Sequence, residues 1–333
     1  MPWWNAQTHA DRRPLLLTRG RIKAGLRAFF DGAGFTEVEC GALVASPGNE
    51  THLHAFATTR IGPDGIAHPA FLHTSPEFAA KKLLAAGETK FFEFARVFRN
   101  REGGRRHAPE FTMLEWYRAR EDYSVVIEDT LALVREAAKI AGAATLRHQD
   151  RECDPFADAE WLTVADAFSR YAGIDLLATL GDRDALANAA KIIPAADEDW
   201  SDIFSKIITT IEPQLGNGRL TVLHEYPRPE AALARVSPRD ARVAERFELY
   251  ACGVELANGF GELTDAAEQR ARLEAEMAKK ARLYGEHYPL DEDFLAALAQ
   301  MPPASGVALG FDRLVMLATG APHIRDVLWT PPL

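Results

Sequence analysis

The chain has 333 residues, of which 48 are acidic and 38 basic, and its formal net charge is −10. Apolar residues make up 47% of the chain, which is enough for a large core and excludes a disordered protein, a collagen and a disulfide scaffold. The three cysteines are scattered and form no CxxC pair, which argues against a zinc site and for a reducing compartment. Because no apolar run approaches the roughly 18 residues of a membrane span, we expect a cytoplasmic protein without a membrane segment.

The first half of the chain is predicted to contain helices and strands joined by polar turns. Ser75, Pro76 and Glu77 predict the start of a helix, as cap, first helical residue and first-turn acid. Two apolar strands that flank a charged loop predict an antiparallel hairpin. The predicted elements are a helix over 18–30, a strand over 35–40, a hairpin within 47–69, a short strand over 71–75, the paired strands 91–99 and 110–119, and a helix over 123–141.

The second half of the chain ends in two segments that combine strands with glycine turns. We expect mostly helices over about 143–213, a strand over 219–227, two strands within 245–260, a helix over 266–285 and a strand–turn–helix over 306–320. The two strands within 245–260 should turn near Cys252 and Gly253. Strands with non-helical links predict an α+β fold, with an antiparallel sheet flanked by helices. We expect a single domain over 1–333 with a helical insertion at about 143–213.

The loop of the predicted hairpin is rich in cationic side chains. They are Arg99, Arg101, Arg105, Arg106 and His107. Arginine forks match the oxygens of a phosphate group, and Phe111 just beyond the loop is suited to stacking on a base. A charged run is also typical of a solvated turn, so the pattern alone leaves phosphate binding and a surface turn equally open.

Acidic side chains cluster on the predicted strand pair. Glu248 and Glu255 are followed by Asn258 and Glu262, within the glycine-containing stretch GVELANGFGEL. Carboxylates that face one cleft would bind Mg²⁺ through oxygen or would bind a substrate ammonium group. Alternation on an exposed sheet face is the alternative interpretation.

The stretch GVALGFDRL near the C-terminus predicts a strand, a glycine turn and a helix. Glycine at such a turn lets a ligand approach the backbone closely. Arg313 then falls in the first turn of the helix, where its charge opposes the helix dipole. An anionic partner for Arg313 is therefore expected.

These segments together resemble a known family. FRNREGGRRHAPEFTMLEWY resembles motif 2 of the class II aminoacyl-tRNA synthetases, and GVALGFDRLVML resembles their motif 3. The forms PEFTMLEWY, TSPEF and ELANGFGEL are similar to the lysyl branch. The resemblance extends from Arg21 to the C-terminus and implies the antiparallel catalytic fold of that class.

Two features resemble a particular group of lysyl-tRNA synthetase-like paralogues, those that attach (R)-β-lysine to elongation factor P. The catalytic region begins within about the first twenty residues, so we expect no anticodon-binding domain. Ala308 stands where the motif 3 of lysyl-tRNA synthetases usually has glycine. A methyl group in the amino-acid pocket is physically reasonable, because one carbon shifts discrimination by roughly 1–3 kcal/mol.

The resemblance implies an ATP site with bound Mg²⁺. Arg99 would hold the α-phosphate, Phe111 would stack on the adenine, and Arg313 would cover its other face and reach the γ-phosphate. Arg99 and Arg313 are the implied catalytic residues, and Glu248 and Glu255 match the acids that hold the metal. The full implied set for ATP is Arg99, Asn100, Arg101, Glu102, His107, Ala108, Phe111, Glu248, Leu249, Gly310 and Arg313.

The resemblance also implies a pocket for a lysine-like substrate. The implied positions are Ser75, Pro76, Glu77, Glu115, Tyr117, Glu255, Asn258, Phe260, Glu262 and Ala308. Carboxylates suit this pocket, because an ammonium group that leaves water must be paired.

Three positions depart from the family pattern. Arg101 stands where a glutamate that contacts adenine is usual, and Glu102 would take its place if the loop shifted by one residue. Ala108 replaces a common asparagine, and Gly41 replaces a proline of the dimer interface. Adenine recognition and dimer geometry are the properties that these departures affect.

The resemblance therefore implies an ATP-dependent ligase that activates (R)-β-lysine as an adenylate and transfers it to a lysine of elongation factor P. It further implies a homodimer that binds no tRNA stably. One alternative is a paralogue that activates α-lysine for a tRNA or a small molecule, and another is an inactive binding protein. No general base for the transfer step is evident from the sequence.

Overall fold

The computed structural model describes residues 2–332, and these residues form an α+β fold around a large sheet. The helices are α1 (Ala6–Gly32), α2 (Glu77–Ala86), α3 (Tyr123–Ala141), α4 (Val164–Ala172), α5 (Arg183–Ala190), α6 (Trp200–Ile211), α7 (Ala266–Tyr284), α8 (Glu292–Leu298) and α9 (Phe311–Thr319). The strands are β1 (Thr36–Glu37), β2 (Leu43–Val44), β3 (Phe56–Ile61), β4 (Ala67–Leu72), β5 (Lys90–Phe98), β6 (Glu110–Ala119), β7 (Leu146–His148), β8 (Arg151–Asp154), β9 (Glu160–Thr163), β10 (Gly218–Arg219), β11 (Thr221–Pro227), β12 (Val243–Ala251), β13 (Val254–Gly261) and β14 (Ala304–Gly310).

The large sheet has eight strands in the order β1-β5-β6-β14-β13-β12-β11-β9. The pairs from β5 to β11 are all antiparallel, and only the edge strands β1 and β9 pair in parallel. The predicted antiparallel sheet is therefore confirmed. Two smaller sheets, β2-β4-β3 and β10-β8-β7, lie beside it.

The hairpin of β5 and β6 lies next to β14 near the middle of the sheet, and its loop is the cationic segment. The register pairs Phe98 with Glu110, so the loop leaves the sheet directly after β5. Trp116 is fully buried, and Phe92 stacks on Phe30 of α1 with ring centroids 4.3 Å apart. This packing holds the arginine-rich loop on a rigid support.

The N-terminal region differs from its prediction. Helix α1 starts at Ala6, with Asn5 as its cap, and it continues through Pro14. The residues before Thr18 are largely exposed and polar, so they carry little apolar periodicity from which the start could be predicted. The strand that follows covers only Thr36–Glu37 of the predicted 35–40.

The segment 143–213 is less helical than predicted, because it opens with three short strands. These strands, β7, β8 and β9, have only three or four residues each, which is too short to give a recognisable periodicity. Strand β9 adds to the edge of the large sheet beside β11. The helices α4, α5 and α6 that follow enclose a separate apolar cluster, which includes Phe168, Trp200 and Phe204.

Most other predicted elements are confirmed, with one change at a cap. Helix α3 has the predicted bounds, and Cys252 and Gly253, both with positive φ, form the turn between β12 and β13. Helix α2 begins at Glu77, so Pro76 is its cap residue and not its first helical residue, and Ser75 Oγ accepts from the Glu77 N–H at 3.3 Å. Within residues 2–332, none of the helices has the length and apolar character that a membrane crossing requires.

Candidate active site

Two adjoining cavities open on one side of the large sheet. The smaller has a volume of about 180 Å³ and the larger about 1380 Å³. Six residues line both cavities: Glu50, Leu53, Ser75, Glu77, Asn258 and Phe260. The two cavities are therefore adjacent and share part of their walls.

The smaller cavity brings together most of the residues that the sequence singled out. Those that line it are Ser75, Glu77, Arg99, Glu102, His107, Ala108, Phe111, Glu115, Glu255, Asn258, Phe260, Ala308, Gly310 and Arg313. They come from α2, the β5–β6 hairpin, β13, β14 and α9. Segments more than 200 residues apart in the sequence thus meet at one place.

One wall of the smaller cavity is cationic. Arg99 Nε donates to the Thr74 carbonyl at 3.1 Å, and its guanidinium lies 5.4 Å from the centre of the Phe111 ring. Arg313 Nη1 donates to the Glu255 carbonyl at 3.0 Å, and Arg313 Nε donates to the Arg106 carbonyl at 3.3 Å. Burial and the nearby Arg313 charge lower the pKa of His107, which leaves this ring neutral at pH 7. This wall can hold an anion such as a polyphosphate.

The opposite wall presents oxygen acceptors. Glu115 Oε2 accepts from the Tyr117 hydroxyl at 2.7 Å, whereas its Oε1 is buried without a donor among residues 2–332. Asn258 Oδ1 is likewise buried without a donor in that part of the chain. Ala308 lies between them, opposite Asn258 on β13 and opposite Glu115 on β6. Buried acceptors without donors favour a ligand that brings its own N–H groups.

Tyr117 and Glu262 do not line either cavity and lie directly behind this wall. Glu262 is 1% exposed, and its Oε2 lies 2.7 Å from Lys81 Nζ. Lys81 Nζ also donates to Glu77 Oε1 at 2.6 Å. Burial raises the pKa of Glu262 to about 7; the Lys81 charge opposes this shift and the Glu77 charge adds to it. Lys81 was missed in the sequence, although its position four residues after Glu77 places both on one helix face.

The predicted metal acids have different environments. Glu248 Oε1 accepts from Arg246 at 2.7 Å and its Oε2 accepts from the Tyr250 hydroxyl at 2.6 Å, and it does not line the smaller cavity. Glu255 does line it, and its side chain is 39% exposed. Glu212, which the sequence did not indicate, lies close to both: burial and then the charges of Glu248 and Glu255 raise its pKa to about 7.

Besides Glu248, three residues predicted to bind ATP lie away from the cavity lining. Leu249 is fully buried in the main core, so its side chain is not available to a nucleotide. Asn100 Oδ1 accepts from the N–H of Arg101 at 2.9 Å, which stabilises the turn after β5. Arg101 adopts a left-handed φ of 62° and pairs with Glu286, with its guanidinium 5.7 Å from the centre of the Tyr284 ring.

Glu102, the residue after Arg101, lines the smaller cavity, whereas Arg101 does not. Its carboxylate lines the smaller cavity, and Oε2 lies 3.3 Å from His107 Nδ1. Arg101 points instead towards the end of α7, where Glu286 attracts it. These positions are compatible with the prediction that Glu102 serves in place of the glutamate that the family usually has at position 101.

Comparison with known proteins agrees with this geometry. Residues 5–332 match the family described as tRNA synthetases class II (D, K and N). The chain belongs to the class II tRNA synthetase family. The predicted resemblance to this family is confirmed over nearly the whole length of the chain.

Several curated members of this family are similar to the chain from end to end. An elongation factor P–(R)-β-lysine ligase of Sodalis glossinidius (strain morsitans) is 42% identical over 321 residues, covering 94% of this chain and 93% of the relative. The ligase of the same name from Klebsiella pneumoniae (strain 342) is 42% identical over 325 residues, covering 95% and 94%. That from Haemophilus influenzae (strain PittGG) is 41% identical over 322 residues, covering 94% and 93%. The prediction of a ligase is confirmed, and membership of this family implies the use of ATP.

Proposed function

We propose that this chain uses ATP to activate (R)-β-lysine as an adenylate and then transfers it to a lysine side chain of elongation factor P. The relatives named above are similar over more than nine tenths of both chains. The observation that carries the proposal is that one cavity has a cationic wall and a wall of oxygen acceptors. An arginine-rich wall suits phosphate, and a wall of buried oxygen acceptors suits an acid that carries amino groups.

Activation requires the substrate carboxylate to approach the α-phosphate of ATP. The carboxylate oxygen attacks the α-phosphorus, and the bond to pyrophosphate breaks. Arg99, just after β5, and Arg313, on α9, both line the cavity, so they can neutralise the negative charge that develops on the phosphates. The protein contributes mainly position and charge, since no side chain needs to form a covalent intermediate.

The amino-acid end of the cavity would bind the ammonium groups of the substrate. Glu115 Oε1 and Asn258 Oδ1 offer buried acceptors that have no donor within residues 2–332. Glu77 lines both cavities and extends this acidic surface. We propose that Ala308, which lies between Asn258 and Glu115, limits the room for the substrate backbone and so discriminates the β-amino acid from the α-amino acid.

Mg²⁺ fits the donor set only together with the phosphates of ATP. Within residues 2–332 no group of three or more acidic, histidine or cysteine side chains is arranged to hold a metal ion alone. Mg²⁺ commonly takes one or two carboxylates and completes its shell with phosphate and water. Glu255, which lines the cavity, would hold it here, and Glu248 would have to release Arg246 or Tyr250 to join it. The bound ion would neutralise phosphate charge.

The transfer step needs access for a protein side chain. The larger cavity adjoins the smaller one through residues that line both, including Ser75 and Phe260. We propose that the acceptor lysine enters through this larger space and that its amine attacks the carbonyl carbon of the adenylate, releasing AMP and forming an amide.

The remaining parts of the proposal concern organisation. The chain would act as one catalytic domain with the insertion 143–213, as a homodimer, and without stable tRNA binding. Sedimentation analysis and a tRNA gel shift test the last two points separately from catalysis.

The test of the function combines two measurements. ATP–pyrophosphate exchange is followed with (R)-β-lysine and with α-lysine, and then the mass of purified elongation factor P is measured after incubation. We expect exchange that prefers (R)-β-lysine and a mass gain of one β-lysyl group. Exchange with α-lysine followed by tRNA charging would contradict the proposal, as would the absence of exchange with both amino acids.

A further inference from the structure

Glu50 is an acidic residue that lies where the two cavities adjoin. Among residues 2–332, the acidic residues that line both cavities are Glu50 and Glu77. Glu77 Oε1 accepts from Lys81 Nζ at 2.6 Å, so this carboxylate already has a cationic partner. Glu50 is exposed to the cavity, and within the described residues its carboxylate has no ion pair and no hydrogen bond. The carboxylate of Glu50 is therefore free to meet a ligand.

The backbone at Glu50 is held in place by helix α7. Lys280 is fully buried, and its Nζ donates to the Glu50 carbonyl at 3.0 Å and to the Thr51 carbonyl at 2.9 Å. The Thr51 N–H donates to Glu276 Oε2 at 3.0 Å. These bonds fix the point from which the Glu50 side chain extends, which is a condition for a group that acts on a substrate.

The charged groups that act on the Glu50 carboxylate come from four parts of the fold. They are Glu77 on α2, Arg99 after β5, Arg246 on β12 and Glu276 on α7. Of these four, Arg99 interacts with Glu50 most strongly, and the family resemblance implies that Arg99 holds the α-phosphate of ATP. Glu50 thus lies near the place where the adenylate would form.

The transfer step requires a group that removes a proton. A lysine side chain has an ordinary pKa of about 10.4, so an acceptor lysine arrives as an ammonium ion at neutral pH. Its nitrogen has no free electron pair until it loses a proton. Burial raises the pKa of Glu50, against the opposing charge of Arg99, and a carboxylate with a raised pKa is a stronger base than a solvated one.

We propose that Glu50 binds the ammonium group of the acceptor lysine at the junction of the two cavities and accepts its proton. This inference rests on the proposed function, because it concerns the transfer step of that reaction. One N–H bond of the ammonium group breaks, the proton passes to the Glu50 carboxylate, and the freed electron pair forms the bond to the adenylate carbonyl carbon. The bond from that carbon to the phosphate oxygen then breaks. AMP leaves with the electron pair, and a second proton passes from the nitrogen to solvent.

The experiment measures activation and transfer separately. Activation is followed by ATP–pyrophosphate exchange with (R)-β-lysine. Transfer is followed in a single turnover, in which the enzyme carrying its adenylate is mixed with excess elongation factor P and the mass gain is measured over time. In Glu50→Gln we expect the transfer rate to fall by roughly 100-fold, and by at least about tenfold more than the exchange rate. Glu50→Asp keeps a carboxylate and should transfer at least about tenfold faster than Glu50→Gln.

A second nucleophile tests whether the loss lies in proton removal. Hydroxylamine is largely uncharged at pH 8, so it attacks the adenylate without a base and forms a hydroxamate. Glu50→Gln should therefore form the hydroxamate at a rate much closer to that of the wild type than its rate of transfer to elongation factor P.

The dependence of transfer on pH gives a further measurement. Without Glu50 the reaction depends on the fraction of free amine, which rises about tenfold from pH 8 to pH 9. The transfer rate of Glu50→Gln should rise by that factor, whereas the wild-type rate should change by less than about threefold, because the wild-type base acts on the ammonium form.

The matched control is an acidic side chain outside both cavities. Glu152 is 57% exposed and forms a surface ion pair with Arg147. Glu152→Gln makes the same chemical change as Glu50→Gln and should match the wild type in exchange, transfer and hydroxamate formation. Circular dichroism checks that each variant is folded.

The outcomes distinguish this inference from the proposed function. A wild-type protein that forms no adenylate, or does not modify elongation factor P, contradicts the proposed function, and the role of Glu50 falls with it. If the wild type performs both steps and Glu50→Gln transfers at a similar rate, the role of Glu50 is wrong. It is also wrong if exchange falls as much as transfer, or if hydroxamate formation falls as much as transfer, because Glu50 would then act on activation or on the adenylate itself.

Discussion

Arg313 contacts Glu255 through both the backbone and the side chain of the acid. Its Nη1 donates to the Glu255 carbonyl at 3.0 Å and lies 3.4 Å from Oε2, although 58 residues separate the two in the sequence. The same guanidinium donates through Nε to the Arg106 carbonyl in the hairpin loop. Helix α9, strand β13 and the motif 2 loop are thus tied together at one point in the cavity.

The first prediction concerns the charge of Arg313. Arg313→Ala should lower the rate of ATP–pyrophosphate exchange by roughly 100- to 1000-fold, because a preorganised cation that faces the phosphates is lost. Arg147→Ala is the matched control, since Arg147 is 62% exposed and forms a surface ion pair with Glu152. Circular dichroism checks that both variants fold. Exchange that stays within a few-fold of the wild type in Arg313→Ala would remove this residue from the activation step.

The second prediction concerns substrate choice at Ala308. Ala308→Gly removes the methyl group between Asn258 and Glu115, and it should shift the ratio of kcat/KM towards α-lysine by roughly tenfold or more. The comparison variant is Ala304→Gly, which makes the same change at the other end of β14, outside both cavities. An unchanged preference in Ala308→Gly would show that this methyl group does not discriminate the two amino acids.

The third prediction separates two neighbours in the motif 2 loop. Glu102→Gln should raise the KM for ATP by about tenfold, because the adenine loses a charged hydrogen-bond acceptor that lines the cavity. Arg101→Gln should change that KM by less than about threefold, since Arg101 is 53% exposed and pairs with Glu286. Initial exchange rates at varied ATP concentration measure both. A larger effect from Arg101→Gln would mean that Arg101 turns towards bound nucleotide.

The fourth prediction concerns pH. The pKa of Glu262 is raised to about 7, so below pH 7 this carboxyl is protonated and no longer attracts an ammonium group. The KM for (R)-β-lysine should therefore rise by about tenfold between pH 8 and pH 6, while kcat changes little. Glu262→Gln should show a high KM that does not vary over this range. If the variant keeps the wild-type pH profile, another group is responsible for it.

The fifth prediction concerns stability. Asp312 is 1% exposed, pairs with the buried Arg19 and accepts from the Thr112 N–H at 2.7 Å. Asp312→Asn leaves the Arg19 charge without a partner and should lower the free energy of unfolding by about 3–5 kcal/mol. Urea denaturation measures the loss. Glu37→Gln, at the exposed pair with Arg27, should have a much smaller effect, and equal losses in the two variants would contradict the argument.

The fold was predictable where elements are long and apolar. Strands β5 and β6 have nine and ten residues, and helix α3 has 19, so their periodicity repeats often enough to be recognised. The segment 143–213 was predicted as mostly helical, and its three opening strands were missed because none exceeds four residues. Strands β8 and β9 pair with the distant strands β10 and β11, and β7 pairs with β8, so tertiary pairing rather than local preference decides their strand character.

The sequence by itself determined the chemistry that this protein can offer: arginines in motifs 2 and 3, and carboxylates on α2, β6 and β13. Residue type and local spacing are enough for that, since they follow from the covalent chain. Only the tertiary structure decided which of these groups face each other. The register of β6, β14 and β13 places Ala308 between Glu115 and Asn258, and packing against α2 buries Lys81 beside Glu262. Such contacts depend on how segments far apart in the chain are brought together, and no local pattern records that.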